Sequence, residues 1–219
     1  MELQYKFKNG TTLNVGTIFG IGKNYAKHAQ EMGGKVPDEP IIFIKPATSY
    51  VPNNSKITLP RYSQNIHYEV ELVVIIGKDG KNINKKDAHK YIAGYAIGVD
   101  LTLRDIQAKA KEQGHPWAVA KGFYQSAPIS DVIPAIEFGE KIPFFDLKLW
   151  LNGQLKQNSN TKYMERSVEQ LIEYISQVFS IRTGDCIFTG TPEGVGQINP
   201  GDIIKAQLNN LIDLEIEFV

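Results

Sequence analysis

Between His67 and Gly77 the chain reads His-Tyr-Glu-Val-Glu-Leu-Val-Val-Ile-Ile-Gly, a β-branched run that predicts a strand. Residues i and i+2 of a strand share a face, so Glu69, Glu71, Val73 and Ile75 point one way and Val70, Leu72, Val74 and Ile76 the other. Apolar side chains in both sets predict a strand covered on both faces. Two carboxylates then lie side by side in a poorly solvated place. Like charges so arranged either raise a pKa or take a cation between them, and paired carboxylate oxygens suit Mg²⁺, Mn²⁺ or Ca²⁺. On this segment alone, a strand that starts at the surface with both glutamates solvated is the simpler reading. A second small, apolar run, Gly94 to Val99, ends in Asp100. That carboxylate would complete a three-carboxylate site and shift the balance towards a hard divalent metal.

Val15 to Phe19 leads as a strand into Gly20-Ile21-Gly22. A short helix is predicted over Tyr25 to Met32, with Asn24 as its cap and Gly33-Gly34 as its stop. Ile41 to Ile44 reads as a strand. Asn84 opens a short helix through Lys90, and Thr102 with Asp105 resembles a capping box for a helix ending near Gly114. Ser167 and Gln170 form another such box. It introduces the clearest amphipathic helix, with Leu171, Ile172, Ile175, Val178 and Phe179 on one stripe. Asn9-Gly10 and Asn209-Asn210 mark tight turns between strands. Strands outnumber helices without alternating regularly with them, which predicts an α+β, mostly β architecture. No repeat or linker composition interrupts the chain, so one domain is expected over residues 1 to 219.

Composition narrows the classes of function. Lys plus Arg and Asp plus Glu both number 24, with no long run of either sign, which argues against a generic nucleic-acid or anionic-membrane surface. No apolar run approaches the roughly 20 residues of a bilayer span. The single Cys186 excludes an internal disulfide and a cysteine-rich zinc site. Its setting in Cys186-Ile187-Phe188 predicts a buried structural thiol. The segment Met1 to Lys8 lacks signal-peptide and transit-peptide character, so a reducing, cytoplasmic compartment is expected.

Several other residues carry candidate chemistry. His28 and Glu31 are three apart, one turn along a helix, and a His with a carboxylate partner is the commonest general-base unit; a solvated helix face is the plain alternative. Lys121 emerges from Ala118-Val119-Ala120 and could offset enolate charge or simply reach water. Arg104 and Gln107 share a helix face just after Asp100 and could hold a carboxylate. Gly190-Thr191-Pro192-Glu193-Gly194-Val195-Gly196 is a turn able to present N–H groups to an anion, but it lacks the ending of a phosphate-binding P-loop. Serine-hydrolase and zinc-protease motifs do not occur.

In chain order these pieces resemble the fumarylacetoacetate hydrolase family over about residues 16 to 219. The segments are Gly22 to Glu31, Phe43-Ile44-Lys45-Pro46, Glu69-Val70-Glu71, Gly94 to Gln107 and Gly190 to Gly196. The short amino terminus and the stretch His115 to Lys121 look most like the branch of acylpyruvate hydrolases and oxaloacetate decarboxylases. The resemblance implies a mixed β-roll, a homodimer, and Mg²⁺ or Mn²⁺ held by Glu69, Glu71 and Asp100. It further implies that His28 and Glu31 activate water from a lid helix, and that Lys121, Gln107 and Thr191 contact a small 2-oxo acid. Lys23, a further substrate-binding candidate, stands where the resemblance leads one to expect Arg, replacing a bidentate fork with a point charge. The activity implied is C–C hydrolysis of acylpyruvates with oxaloacetate decarboxylation as a second reaction. Isomerisation or tautomerisation of a 2-oxo dioate is the alternative, and a non-catalytic metal-binding protein the remote one.

Overall fold

The run Val70–Ile76 forms the strand that its β-branched residues predict, and every residue in it is buried. Val70, Leu72, Val74 and Ile76 belong to the larger apolar core, which they share with Tyr95, Ile97, Leu147, Ile204 and Leu214. Val73 and Ile75 belong to a second core with Tyr5, Ala96, Ile129 and Phe188. The expected two-sided burial is therefore realised by two different sets of neighbours. The computed structural model describes residues 3–219; Met1 and Glu2, at the head of the segment read above for targeting signals, lie outside the described residues.

This strand is central in a mixed sheet that runs, from one edge to the other, Ile41–Lys45, Ile18–Gly22, Cys186–Phe188, Val70–Ile76, Ile92–Val99, Ala127–Ile129 and Tyr50–Pro52, with Ile133–Pro134 also paired to Ile92–Val99. A second sheet orders Gln154–Asn160, Asp146–Leu151, Ile203–Leu208, Ile212–Phe218 and Ser55–Ile57. The larger core lies between the two, since its side chains come from both. A small sheet of Thr102–Leu103, Ile66–Tyr68 and Gly196–Ile198 sits at the end where Glu69 and Asp100 emerge. The architecture is the mostly β, α+β roll with short peripheral helices that was expected.

The turn at Asn9-Gly10 joins strands Gln4–Lys6 and Thr12–Asn14, and Asn209 turns the chain between Ile203–Leu208 and Ile212–Phe218. Ser167 and Gln170 form the capping box of helix Val168–Val178, whose Leu171, Ile172 and Ile175 are buried. Val178 departs from the expected stripe: it is exposed, because the helix ends there and turns its last residue outward. Two predicted caps are also corrected. Asn24 does not cap the helix Ala26–Glu31, whose N-cap is Tyr25; its buried amide instead donates to the Thr189 and Arg166 carbonyls. Thr102 and Asp105 form no box on Arg104–Gln113. Thr102 lies in a strand, and Asp105 accepts from Ser63 and from the Gln64 N–H. Asn24 is taken wholly by distant segments, whereas Thr102 and Asp105 keep one local backbone bond each, to the Asp100 carbonyl and from the Ile106 N–H, beside their tertiary partners.

Candidate metal centre and active site

Register brings the carboxylates together. Val70 pairs with Val99 and Glu71 with Gly98 across antiparallel strands. One step beyond, the chains leave the sheet at Glu69 and Asp100, and the Asp100 N–H donates to the Glu69 carbonyl at 2.8 Å. Glu69 is thus a break between strands Ile66–Tyr68 and Val70–Ile76 rather than part of one continuous strand. Glu69, Glu71 and Asp100 are buried, and each offers an oxygen within 4.8 Å of the others.

Three cations surround this cluster. The Lys121 ammonium, on the short helix Ala118–Lys121, bridges Glu69 Oε2 at 2.8 Å and Asp100, and donates to Thr102 Oγ1 at 2.6 Å. Arg104 pairs with Glu69 and donates to Gln107 Oε1 at 2.7 Å. Lys45, wholly buried, faces Asp100 Oδ1 at 2.8 Å. Gly20 admits the ring of Phe43, which a Cβ there would meet at 2.2 Å, and that ring lies 4.8 Å from Lys121 Nζ.

These charges set the protonation of the cluster. Burial alone would raise Glu69, but Lys121 and Arg104 hold it well below the usual carboxylate range. Glu71 is pushed well above that range by burial and then by the charges of Asp100 and Glu69. Burial works against the Lys121 charge, and the Asp100 and Glu69 carboxylates overcome it and raise the ammonium above its usual range. For Lys45 burial prevails over Asp100 and the net direction is downward.

A hard divalent cation fits the residues present. Three oxygen donors converge, and burial together with the Asp100 and Glu69 charges disfavours the ionised form of Glu71 unless a further cation faces it. Lys121 already shows that a cation is held between Glu69 and Asp100.

Beside the cluster, His28 is buried and its Nδ1 lies 3.1 Å from Glu31 Oε2. A carboxylate only accepts, so Nδ1 carries the hydrogen, and in the neutral imidazole Nε2 is the acceptor. Glu31 is held in turn by the Gly194 N–H at 3.1 Å. The expected anion at the Gly190 to Gly196 turn is therefore the protein's own: Gly194 serves Glu31, and the Gly190 N–H donates to Glu71 Oε2 at 2.6 Å. Gly190 is required here, with φ at +100° and room for no Cβ against Asn24.

One cavity is lined by His28, Lys23, Glu69, Glu71, Arg104, Gln107, Lys121 and Thr191. Glu31 reaches it only through His28, and Asp100 lies behind Glu69 and Lys121. The Thr191 hydroxyl also accepts from Gln157 Nε2 at 2.9 Å, while Gln157 Oε1 accepts from the Val70 N–H at 2.9 Å. Gln157 and Lys45 are not among the candidate site residues of the sequence. Gln157 sits in a polar strand with nothing to distinguish it; Lys45 carried a signal, as a lysine ending the apolar strand Ile41–Lys45.

Residues 17–219 match the Fumarylacetoacetate (FAA) hydrolase C-terminal family. The chain is 42% identical over 204 residues to the mitochondrial oxaloacetate decarboxylase of Dictyostelium discoideum, covering 92% of each chain. It is 40% identical over 203 residues to the mitochondrial oxaloacetate tautomerase FAHD1 of Bos taurus, covering 91% of this chain and 90% of the relative. Its fold superposes with a TM-score of 0.95 on fumarylpyruvate hydrolase from Pseudomonas aeruginosa in complex with Mn²⁺ and pyruvate, at 36% identity, covering 100% of this chain and 96% of that one. The chain belongs to the fumarylacetoacetate hydrolase family of enzymes.

Proposed function

We propose that the chain is a divalent-metal-dependent hydrolase that cleaves a C–C bond in acylpyruvates, which are 2,4-dioxo acids. The observation that carries this reading is one cavity in which the carboxylate cluster, the Lys121 ammonium and the His28–Glu31 pair adjoin. Glu69, Glu71 and Asp100 would hold Mg²⁺ or Mn²⁺. When bound, that cation supplies Lewis-acid stabilisation of developing enolate charge.

Arg104 and Gln107 receive the substrate carboxylate, with Thr191 and Lys23 as further contacts. Arg104 Nε is a buried N–H without an acceptor among the described residues. His28 Nε2 takes a proton from water as its oxygen adds to the distal carbonyl, and Glu31 steadies the imidazolium through Nδ1. The C–C bond then breaks towards C3, releasing a carboxylic acid and leaving the electron pair as pyruvate enolate. Lys121 offsets that charge until a proton returns to C3.

A second reading, decarboxylation or keto–enol tautomerisation of oxaloacetate, is favoured by the names of relatives at 40% and 42% identity. Loss of CO₂ reaches the same enolate without attacking water. One catalytic unit over residues 1 to 219, a homodimer and a cytoplasmic location complete the proposal; the relatives named as mitochondrial weigh against the last of these. Among the described residues no helix is long and apolar enough to cross a membrane.

A panel of acetylpyruvate, fumarylpyruvate, keto and enol oxaloacetate and a hydroxymuconate, each with Mg²⁺ and Mn²⁺, tests the assignment by the ranking of kcat/KM. Hydrolysis ranking first upholds it. Tautomerisation or decarboxylation ranking first replaces it with the second reading. No turnover, with stability alone responding to metal, leaves a structural metal-binding protein.

A further inference from the structure

Strand Gln154–Asn160 lies at the edge of the second sheet, and its burial is inverted: Leu155 is exposed, while Gln157 is the one buried residue in it. A bulge accounts for the inversion. Against strand Asp146–Leu151, Leu149 pairs with Gln157 and Trp150 with Leu155, so Lys156 is the extra residue, and the shift re-aims Gln157 into the interior. The Gly190 to Gly196 turn packs onto this spot. Gly194, with φ at +95°, leaves no room for a Cβ against the Lys156 carbonyl.

A buried amide is costly unless its hydrogen bonds are made. The groups around Gln157 make them, and they cannot exchange roles. The Val70 N–H can only donate, so it faces Oε1, at 2.9 Å; the Pro192 carbonyl can only accept, so it faces Nε2, also at 2.9 Å. This fixes which end of the amide meets the turn. Nε2 is the end that reaches Thr191 Oγ1, at 2.9 Å.

Thr191 therefore receives a hydrogen from Gln157, and its own hydroxyl hydrogen has no acceptor among the described residues. Thr191 lines the cavity together with His28, Glu71 and Gln107. The acceptor for that hydrogen has to come from what the cavity binds. Without the donor behind it the hydroxyl is free to rotate, and a lone pair turned to the cavity repels the oxygens of an anion.

Resting on the reading of this cavity as the site of a 2-oxo acid, we propose that Gln157 is a positioning residue: by donating to Thr191 Oγ1 it turns the Thr191 hydroxyl hydrogen into the cavity, as a donor to an oxygen of the bound substrate. Val70 stands between Glu69 and Glu71, so the same amide also holds the backbone from which both carboxylates project. One side chain that does not itself line the cavity keeps the hydroxyl donor and the carboxylates in register.

Oxalate is titrated calorimetrically into the Mn²⁺-saturated protein, without turnover, in a double-mutant cycle of Gln157→Met and Thr191→Val. Each change alone should weaken oxalate about ten-fold or more, the worth of a hydrogen bond to a charged group. The double variant should be little weaker than either. In the Thr191→Ser background, which keeps a hydroxyl, Gln157→Met should again cost about ten-fold. A Gln157→Met penalty that persists undiminished beside Thr191→Val overturns the proposal, because Gln157 then acts only through the backbone of Glu69 and Glu71. Gln157→Met also strips partners from the Val70 N–H and the Pro192 carbonyl, so urea unfolding checks that it folds. If it does not, a crystal structure of the unaltered protein with Mg²⁺ and oxalate decides. Thr191 Oγ1 within about 3 Å of an oxalate oxygen and still bonded to Gln157 upholds the proposal, and oxalate out of reach of Oγ1 overturns it. Failure at the two levels is distinct: no oxalate binding by the unaltered protein removes the reading of the cavity and the proposal with it, whereas binding with additive losses removes the role of Gln157 alone.

Discussion

Lys45 Nζ stands 2.8 Å from Asp100 Oδ1, and both side chains are shut away from solvent. The same ammonium donates to the Ser126 carbonyl at 3.0 Å and to the Ser126 hydroxyl at 2.9 Å, and it also bonds the Lys121 carbonyl. One lysine therefore ties strand Ile41–Lys45 to the segments that carry Asp100 and Lys121. Replacement by an apolar side chain strands a buried carboxylate and several carbonyl oxygens.

Lys45→Met should accordingly destabilise the metal-free protein by about 3–5 kcal/mol, the usual cost of removing one partner of a buried pair. Mn²⁺ should restore part of that loss by supplying another cation to Asp100. Urea unfolding with and without Mn²⁺ measures both. A loss below about 1 kcal/mol would show that water takes over the role of Lys45.

Glu71 links metal binding to pH. Its folded-state pKa is raised, first by burial and then by Asp100 and Glu69. In the metal-free protein its contribution to stability is therefore full below the ordinary carboxylate value, ~4.3, and is lost as pH rises through the raised one. A divalent cation needs the carboxylate form, so binding should release a proton and Mn²⁺ affinity should climb with pH over that window. Calorimetry in two buffers of different ionisation enthalpy counts the protons released. Glu71→Gln should abolish the release, and zero release in the unaltered protein would contradict the assignment.

Glu69→Ala, Glu71→Ala and Asp100→Ala should each remove most Mn²⁺ affinity, because each deletes one of the three converging oxygens. Titration calorimetry decides residue by residue. Any variant that binds as the parent does takes that residue out of the donor set.

Oxalate should inhibit competitively and only with metal present, since its adjacent carboxylates imitate the planar enolate of a 2-oxo acid. Inhibition that persists in chelator would place the anion elsewhere. The Gly190 turn is a poor alternative, its N–H groups being occupied by Glu71 and Glu31.

His28→Ala and Glu31→Ala should spare Mn²⁺ binding and slow acylpyruvate hydrolysis by about 10² to 10⁴, the range of positioned general-base catalysis. Decarboxylation should lose less, because it uses no attacking water. Helix Ala26–Glu31 ends at Gly33, with φ at +70°, and is pinned at its start by Asn24. Hydrogen exchange over residues 20 to 36 should slow when oxalate and Mn²⁺ are bound. Equal loss of both reactions with unchanged exchange would refute a lid-borne water-activating pair.

The order of chemistry-bearing segments was legible in the chain, because strand periodicity and helix spacing are local properties. Glu69 and Glu71 two apart, His28 and Glu31 three apart, and Arg104 and Gln107 three apart each settle which side chains can meet within one element. The partner of each side chain was not local. Asn24 and Thr102 have the chemistry of caps but bond to segments far along the chain, Asn24 to Thr189 and Thr102 to Lys121. The Gly190 turn has the shape of an anion site, yet the anions came from strand Val70–Ile76 and helix Ala26–Glu31. Lys45 is ordinary in sequence and central in space, since Asp100 meets it only after strands Ile41–Lys45 and Ile92–Val99 take their places in one sheet. Period and spacing are written in the covalent chain. Charge balance in a buried site depends on which distant backbones fold beside it, and there a few ångströms of low-dielectric distance determine which carboxylate stays ionised.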